Sequence, residues 1–581
     1  MQLTIEQQDF LNSEGRIILC AVPGSGKTFI VVKKLIKYLE EWNLSHQGIA
    51  TLSFTNVASN EIKRQLSESN KELDSSGYPH FIGTLDSFIN NFIFLHFGYL
   101  MQPENRTRPK IIHENYYKQT IPFGYSECYR SGCIQHPEWF HWSSTGLLKN
   151  GKPIECNIAT NKPCIKYKKS LIKKGIVSQR EVSSLSLRLL NKYPIIASLL
   201  AHRFPVIIVD EAQDTSFEQM EILNLISKAG VKTITLVGDP DQTLYEWRDA
   251  TPEYFKKIMM DIQWSCKYLT SNFRSSQYIC NATQLFSSIL KEKSPACAQG
   301  DFANFNKKPL LLIYSKEKNK NDIRKFFISL CRENDIPISS DRVAILTRGR
   351  IYSSLVTDIW KTRETELLAK ASYCWYCSNR NEAYRFCQEA LYSIEIGNPT
   401  ELTQDEIVFN AEERFTHSKW KTKVIELLKI LPSPSQTILE WKKQLSAGIE
   451  RQLKSSAIIP YDGRKLSDIV KLKTRDSKYP DFMNHIFKSY FEKKEQSEIT
   501  ISSVHGVKGE TFDAVLLLIE GTKGANTLTP TTLNNSALDS ELTRIAYVAM
   551  TRPRKLLVVA IPRTKTPLTR FPKELWEYKE I

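Results

Sequence analysis

Short β-rich apolar runs recur along the chain: Ile17 to Ala21, Ile49 to Phe54, Val206 to Val209, Thr233 to Val237, Leu310 to Ile313, Val343 to Leu346 and Val515 to Ile519. Helix-like stretches separate them, and that alternation predicts parallel α/β sheets. The first four runs precede residue 270. The last three flank a long segment, about 350 to 498, with a mostly helical pattern. In Trp420 to Leu431, for example, Val424, Leu427, Leu428 and Leu431 fall at helical spacing. The arrangement predicts a second α/β domain carrying a helical insertion. Residues from about 91 to 180 interrupt the first α/β domain in the same way and contain few strand signals.

Between the strand at Ile17 and the helical positions Ile30, Val31, Leu35 and Leu39 stand Ala21-Val22-Pro23-Gly24-Ser25-Gly26-Lys27-Thr28. This is a P-loop in its required context. Gly24 and Gly26 let the backbone turn its N–H groups and the helix N-terminus toward phosphate oxygens. Lys27 is expected at the β- and γ-phosphates and the Thr28 hydroxyl on Mg²⁺. The run Val206 to Val209 leads into Asp210-Glu211-Ala212-Gln213-Asp214. Two carboxylates leaving an apolar strand suit phosphoryl transfer, with Asp210 in the metal shell and Glu211 orienting and deprotonating water. The bland readings are a Gly-rich turn with an incidental lysine and an acidic strand end, and each makes the other feature a coincidence.

Composition narrows the partner. The 581 residues predict three to five domains, with 41% hydrophobic and 24% charged residues, as in ordinary globular chains. Lys and Arg number 79 against 63 Asp and Glu, a net +16 that favours a polyanion without choosing nucleic acid over an anionic membrane. Residues 91 to 200 hold 16 Lys or Arg, 6 Glu and no Asp, so the excess is concentrated there. Its densest part is Lys166-Tyr167-Lys168-Lys169 with Lys173 and Lys174, expected to neutralise phosphates if the polyanion is a nucleic acid, unless it is only a solvated helix face. No apolar run approaches the roughly 20 residues of a bilayer span, and no signal peptide is evident. The expectation is a cytoplasmic protein without membrane contact, its 12 cysteines reduced.

Asp210-Glu211-Ala212-Gln213-Asp214, followed by Val237-Gly238-Asp239-Pro240-Asp241-Gln242-Thr243-Leu244-Tyr245-Glu246-Trp247-Arg248, closely resembles motifs II and III of the UvrD/Rep/PcrA helicases of superfamily 1A. The P-loop is then motif I. Gln7 resembles the adenine-reading Q motif, Ser53-Phe54-Thr55-Asn56 with Glu61 motif Ia, and Gly83-Thr84-Leu85-Asp86-Ser87-Phe88 motif Ib. Asn272-Phe273-Arg274-Ser275, Val504-His505-Gly506-Val507-Lys508-Gly509 and Tyr547-Val548-Ala549-Met550-Thr551-Arg552 resemble motifs IV, V and VI.

The resemblance implies two RecA-like P-loop domains with parallel sheets and mainly helical insertions. Domain 1A would cover 1–90 and 181–265, with insertion 1B at 91–180. Domain 2A would cover 266–350 and 498–581, with insertion 2B at 351–497. It further implies ATP and Mg²⁺ between the RecA-like domains, Gln242 sensing the γ-phosphate, Arg274 and Arg552 as arginine fingers, and Phe273 stacking on adenine. Single-stranded or partly duplex DNA would lie against Thr55, Asn56, Thr84, Tyr245, Trp247, Arg248 and His505, with movement 3′ to 5′. Tyr245 and Trp247 are expected as stacking platforms or else as core. The four polar residues Thr55, Asn56, Thr84 and His505 are expected as backbone partners or else, where they end strands, as caps.

Departures from the family pattern are Asp86 in place of a frequent His, and Glu510, which displaces the motif V carboxylate. Cys128, Cys133, His136, Cys156 and Cys164 are either a zinc site or ordinary thiols, their spacing fitting C-x₂₋₄-C only in the first pair. Cys374-Trp375-Tyr376-Cys377 is a lone C-x-x-C. About 29 residues follow Arg552, too few for an appended nuclease. A small 2B and no nuclease resemble stand-alone UvrD-like proteins of bacterial anti-phage systems, the Gabija helicase subunit among them. That resemblance implies a GajA-like nuclease partner and, as an alternative to a motor, a DNA-end sensor that activates the nuclease without processive unwinding.

Overall fold

Val206–Val209 buries all four of its residues, which only a strand covered on both faces can do. In the computed structural model it becomes an interior strand of a six-stranded parallel sheet. The structure describes residues 3–69, 77–102, 107–112, 140–143, 146–149, 152–153, 163–244, 252–289, 296–315, 320–348, 359–397, 407–408, 410–411, 414–461, 463–472, 482–488, 491, 499–519 and 527–581. The chain divides into two compact units, residues 1–350 with 499–581, and residues 351–498.

The first unit contains two six-stranded sheets, parallel throughout. One runs in the order Ser265–Leu269, Arg16–Ala21, Thr233–Gly238, Val206–Val209, Ile49–Ser53, Phe81–Thr84. The other runs Thr500–Ser503, Val343–Thr347, Phe512–Leu518, Pro553–Pro562, Leu310–Tyr314, Glu577–Glu580. All seven apolar runs of the sequence are strands within a few residues of their expected ends. The pattern passes over all four edge strands, because an edge is half solvated and its residues are mixed in polarity. Glu577–Glu580, for instance, is exposed along its whole length. It also passes over Pro553–Pro562, whose prolines and leading cations read as a boundary. Residues 91–180 hold more strand than the pattern predicts: an antiparallel set, Phe140–Ser143, Gly146–Lys149 and Lys152–Pro153, and a parallel pair, Lys110–Ile112 with Ile176–Ser178. Each has only two to four residues, too short for periodicity to register.

The second unit is helical. Arg363–Tyr376, Arg380–Glu395, His417–Lys429 and Ile438–Lys454 pack around Trp420, Trp441 and Phe487, with the Trp441 and Phe487 rings stacked at 4.2 Å. The helix expected from Trp420 ends at Lys429; Trp420, Val424, Leu427 and Leu428 are buried, and Leu431 follows the helix end. Among the described residues, no helix is long and apolar enough to cross a membrane.

One lysine expected to face DNA is internal. Lys168, on the helix Pro163–Lys173, is 1% exposed, and its Nζ lies 3.0 Å from Glu181 Oε1. Glu181 Oε2 accepts from Ser178 N at 2.9 Å and Ser178 Oγ at 3.0 Å, closing the capping box of the helix Gln179–Lys192. Lys168 is therefore spent on a buried ion pair that joins two helices, whereas Lys169 is exposed. The side chain of Lys166 lies outside the described residues. Lys168→Ala should take the paired cation from a buried carboxylate, costing about 3–5 kcal/mol. The double variant Lys168→Met with Glu181→Gln should recover most of that loss in thermal or chemical denaturation; equal losses in both variants would count against the pair.

Candidate active site

Because every strand of the first sheet points the same way, the loops leaving its carboxyl ends collect along one edge. In sheet order that edge carries the segment at Asn272, the P-loop, the turn after Gly238, Asp210 with Glu211, Ser53 with Thr55, and Thr84.

The P-loop connects Arg16–Ala21 to the helix Lys27–Glu40, with Gly24 at φ +78° and Gly26 at φ +79°, a region L-residues avoid. At Gly24 the constraint is also steric, since a Cβ would lie 2.7 Å from Asn272 Oδ1 and 2.8 Å from Arg274 Cβ. Asn272 Nδ2 donates to Pro23 O at 2.9 Å and Phe273 N to Gly24 O at 2.8 Å, so motif IV is laced to the loop. Thr28 Oγ1 donates to Asp210 Oδ2 at 3.2 Å. Ser25 Oγ is buried with no hydrogen-bond partner among the described residues. The cradle, the orphan hydroxyl and the hydroxyl–carboxylate pair fit a magnesium-bound nucleoside triphosphate. Gln7 is buried and closes a capping box with Thr4, its Oε1 accepting from Thr4 N at 3.1 Å. A Cβ at Gly26 would lie 3.9 Å from Gln7 Nε2, which places that amide beside the loop.

Burial raises the Asp210 carboxyl to about 7, with the neighbouring Glu211 charge adding to the effect and Lys27 opposing it. For Glu211 burial pushes the same way, but Lys27, Lys508 and the Gln213 amide outweigh it and hold the group down at about 2. Glu211 also sits at φ +53°, an uncommon conformation for a non-glycine residue, with its N–H donating to Asp210 Oδ1 at 2.9 Å.

The second sheet's domain supplies the cations. Arg552 is 2% exposed, and its Nη2 donates to Gln242 Oε1 at 2.8 Å. Gln242 Nε2 in turn donates to Asp239 Oδ2 at 2.6 Å. Arg274, half-buried, donates from Nη1 to Thr551 O at 3.0 Å; burial, then repulsion from Arg552 and Arg554, brings it down to about 9. Lys508 pairs with the buried Asp214.

Two family models match this arrangement: the UvrD/REP helicase N-terminal domain over residues 3–120 and 150–263, and the UvrD-like helicase C-terminal domain over residues 464–564. The chain belongs to the UvrD/Rep helicase family. It is 28% identical over 295 residues to the Gabija protein GajB of Bacillus cereus (strain VD045), a match covering 50% of this chain and 51% of that one. To DNA helicase II of Haemophilus influenzae it is 25% identical over 287 residues, 46% of this chain and 38% of the relative. With ATP-dependent DNA helicase Rep of Buchnera aphidicola subsp. Schizaphis graminum it shares 21% identity over 658 aligned positions, 97% of this chain and 94% of the relative. The match thus spans about half of the first relative, less of the second and nearly all of the third.

The family's expected nucleic-acid residues are distributed unevenly. Thr55 and Thr84 lie at the ends of adjacent strands, and both hydroxyls cap helices, accepting from Ala58 N at 3.2 Å and Ser87 N at 3.1 Å. Asn56 is exposed at the start of the helix Asn56–Ser69. His505 Nε2 donates to Leu244 O at 3.2 Å, and burial lowers its pKa. Tyr245, Trp247 and Arg248 lie outside the described residues. Asp86 Oδ1 accepts from Gln219 Nε2 at 2.7 Å, tying motif Ib to the helix Phe217–Lys228 that follows motif II. Glu510 is exposed, and its carbonyl faces Arg552 Nη1 at 3.5 Å. Cys128, Cys133, His136 and Cys156 are outside the described residues, as is the side chain of Cys164. Among the described residues, no cluster of three or more His, Cys, Asp or Glu could hold a metal.

Sequence reasoning missed Arg544. It is 1% exposed, with Nε donating to Thr243 O at 3.1 Å. A signal existed, since Arg544 is the lone cation of the helix Glu541–Met550 and stands directly before the run Ile545 to Met550, in which only Tyr547 carries a polar group. Such a residue is buried only when paired.

The Asp210 shift makes a prediction about pH. The group titrates at about 7 when folded against 3.8 as a free side chain, so the folded chain binds the extra proton and loses stability as pH rises from about 4 to 7. Asp210→Asn removes that cost. In thermal melts without nucleotide the variant should gain on the parent between about pH 5 and pH 8. A gap independent of pH would count against the shift.

Proposed function

We propose that this chain hydrolyses ATP in a DNA-dependent manner and uses the cycle to move 3′ to 5′ along single-stranded or partly duplex DNA. The supporting observation is the bond between Arg552 and Gln242, which brings a buried guanidinium from one RecA-like domain to the acidic strand ends of the other. In this reading Lys27 and the P-loop amides hold the phosphates, and Thr28 with Asp210 holds Mg²⁺. The metal would neutralise phosphate charge. Glu211, ionised at neutral pH, orients a water and takes its proton. Gln242, Arg274 and Arg552 stabilise charge that develops on the transferring group. Phe273 stacks on the adenine and the Gln7 amide reads its edge.

The phosphate-binding path is read from charge. Lys173, Arg188 and Lys192 are exposed around a cleft of about 490 Å³ floored by Leu100, Met101 and Leu189. Arg188 and Lys192 are like charges one helical turn apart, an arrangement that is mildly unfavourable without an anion. They replace Lys168 as the proposed phosphate partners.

A second reading is favoured by the similarity to the Gabija protein GajB. In it the chain is the ATPase of an anti-phage system, and turnover triggered by DNA ends activates a GajA-like nuclease partner. Strand displacement by the isolated protein supports the motor; hydrolysis at DNA ends without displacement supports the sensor.

Lys27→Ala combined with Glu211→Gln should abolish DNA-stimulated ATP hydrolysis, and robust turnover in that variant would reject the site. Neutralising Lys173, Arg188 and Lys192 to Gln should make the slope of log K against log salt shallower by about 2. An unchanged slope would remove the cleft from the DNA path.

A further inference from the structure

The strand Thr233–Gly238 ends in a single turn, Pro240–Gln242, and the aspartates on either side of Pro240 serve different partners. Asp239 pins Gln242, accepting its Nε2, and also accepts Asp241 N at 3.0 Å. Asp241, 1% exposed, faces a segment of the other RecA-like domain that follows the helix Gln277–Gln284. Its carboxylate accepts from Ser287 Oγ at 2.6 Å, Ser288 Oγ at 2.5 Å and Ile289 N at 3.3 Å.

Ile289 N also donates to Ser287 Oγ at 3.2 Å, so the segment is tied to itself as well as to Asp241. A carboxylate only accepts, so the single Ser287 proton goes to Asp241. The contact therefore joins the segment after the helix Gln277–Gln284 to the residue before Gln242. It lies alongside the direct Arg552–Gln242 bond.

We propose that Asp241, Ser287 and Ser288 form a positioning latch that sets Gln242 in register with Arg552 when the two RecA-like domains close. The proposal rests on the ATPase reading above and deepens it. Withdrawal of the 287–289 segment would take three donors from one buried carboxylate at once, so the latch is made or broken with little between. Among the described residues, the Asp241 hydrogen bonds run to residues 239 and 287–289 and not to the P-loop. Breaking it should therefore slow hydrolysis and leave nucleotide affinity alone.

The test is steady-state DNA-stimulated ATPase of the full chain carrying Ser287→Ala and Ser288→Ala. The expected result is a kcat lowered roughly tenfold with the KM for ATP within about twofold of the parent, the split expected when an interaction acts only in the transition state. Ser287→Thr, which keeps the hydroxyl, should restore the rate. Ser288→Ala alone should give the same split with a smaller loss, and it carries the test if the double variant loses its melting transition. A kcat within twofold of the parent, or a KM that rises in step with the fall in kcat, overturns the latch. A parent protein without DNA-stimulated hydrolysis defeats the function proposed above and the latch with it; a normal parent with an unaffected variant defeats the latch alone.

Discussion

A charge taken out of water must find a counter-charge or give up its proton, and that constraint organises the larger unit. Asp210, Asp214, Asp239 and Asp241 are each at most 3% exposed, and all leave strands of one sheet at the same edge. A parallel sheet leaves them no alternative, because its carboxyl ends lie together. The domain of the other sheet supplies the complement: Arg552 to Gln242, Arg544 to Thr243, Lys508 to Asp214, and two serine hydroxyls to Asp241. The acidic edge and the donors are each incomplete alone. The groups that satisfy burial are also the ones a phosphoryl-transfer site would use.

Backbone strain is placed in the same region. Glu211 holds φ +53° where Asp210 accepts its N–H and Gln213 donates to its carboxylate. Non-glycine residues in that region cost on the order of 1–3 kcal/mol unless the surroundings over-determine them. Gly24 answers a different demand, since the Asn272 amide occupies the volume a side chain would need. The link between the two RecA-like domains therefore enters the phosphate loop directly. Asn272 and Phe273 thus contact the P-loop without an intermediary.

How much of this was legible in the sequence follows from the range of the interactions. The P-loop, Asp210 with Glu211, and Gln242 stand at strand ends because their chemistry demands particular residue types at fixed local spacing, and spacing survives in one dimension. Interior strands were legible for a similar reason, since burial on both faces leaves an unbroken apolar run. Edge strands lack that constraint and were missed. The contacts of Asp241 with Ser287 and Ser288 join residues 46 and 47 positions apart, and no local pattern encodes them. Capping roles at Thr55 and Thr84 were anticipated only as alternatives, because a hydroxyl at a strand end looks the same whether it caps a helix or meets a ligand.

Net charge shows the difference between counting and placing. Lys34 is 0% exposed, and its Nζ donates to Phe10 O at 2.9 Å and Ser13 O at 2.7 Å at the carboxyl end of the helix Ile5–Asn12. A cation there satisfies carbonyls that a helix end leaves open and opposes the helix dipole. Burial still brings the amine down to about 8. Lys34 thus fixes the helix that carries Gln7 and offers nothing to a ligand. Lys168 is equally spent, on Glu181. Glu181 is also the single carboxylate among residues 163–192, which contain eight Lys or Arg. Its pairing with Lys168 takes that carboxylate away from the exposed Lys173, Arg188 and Lys192. Within residues 163–192 the one acid is used internally, so the exposed cations there draw no counter-charge from that stretch.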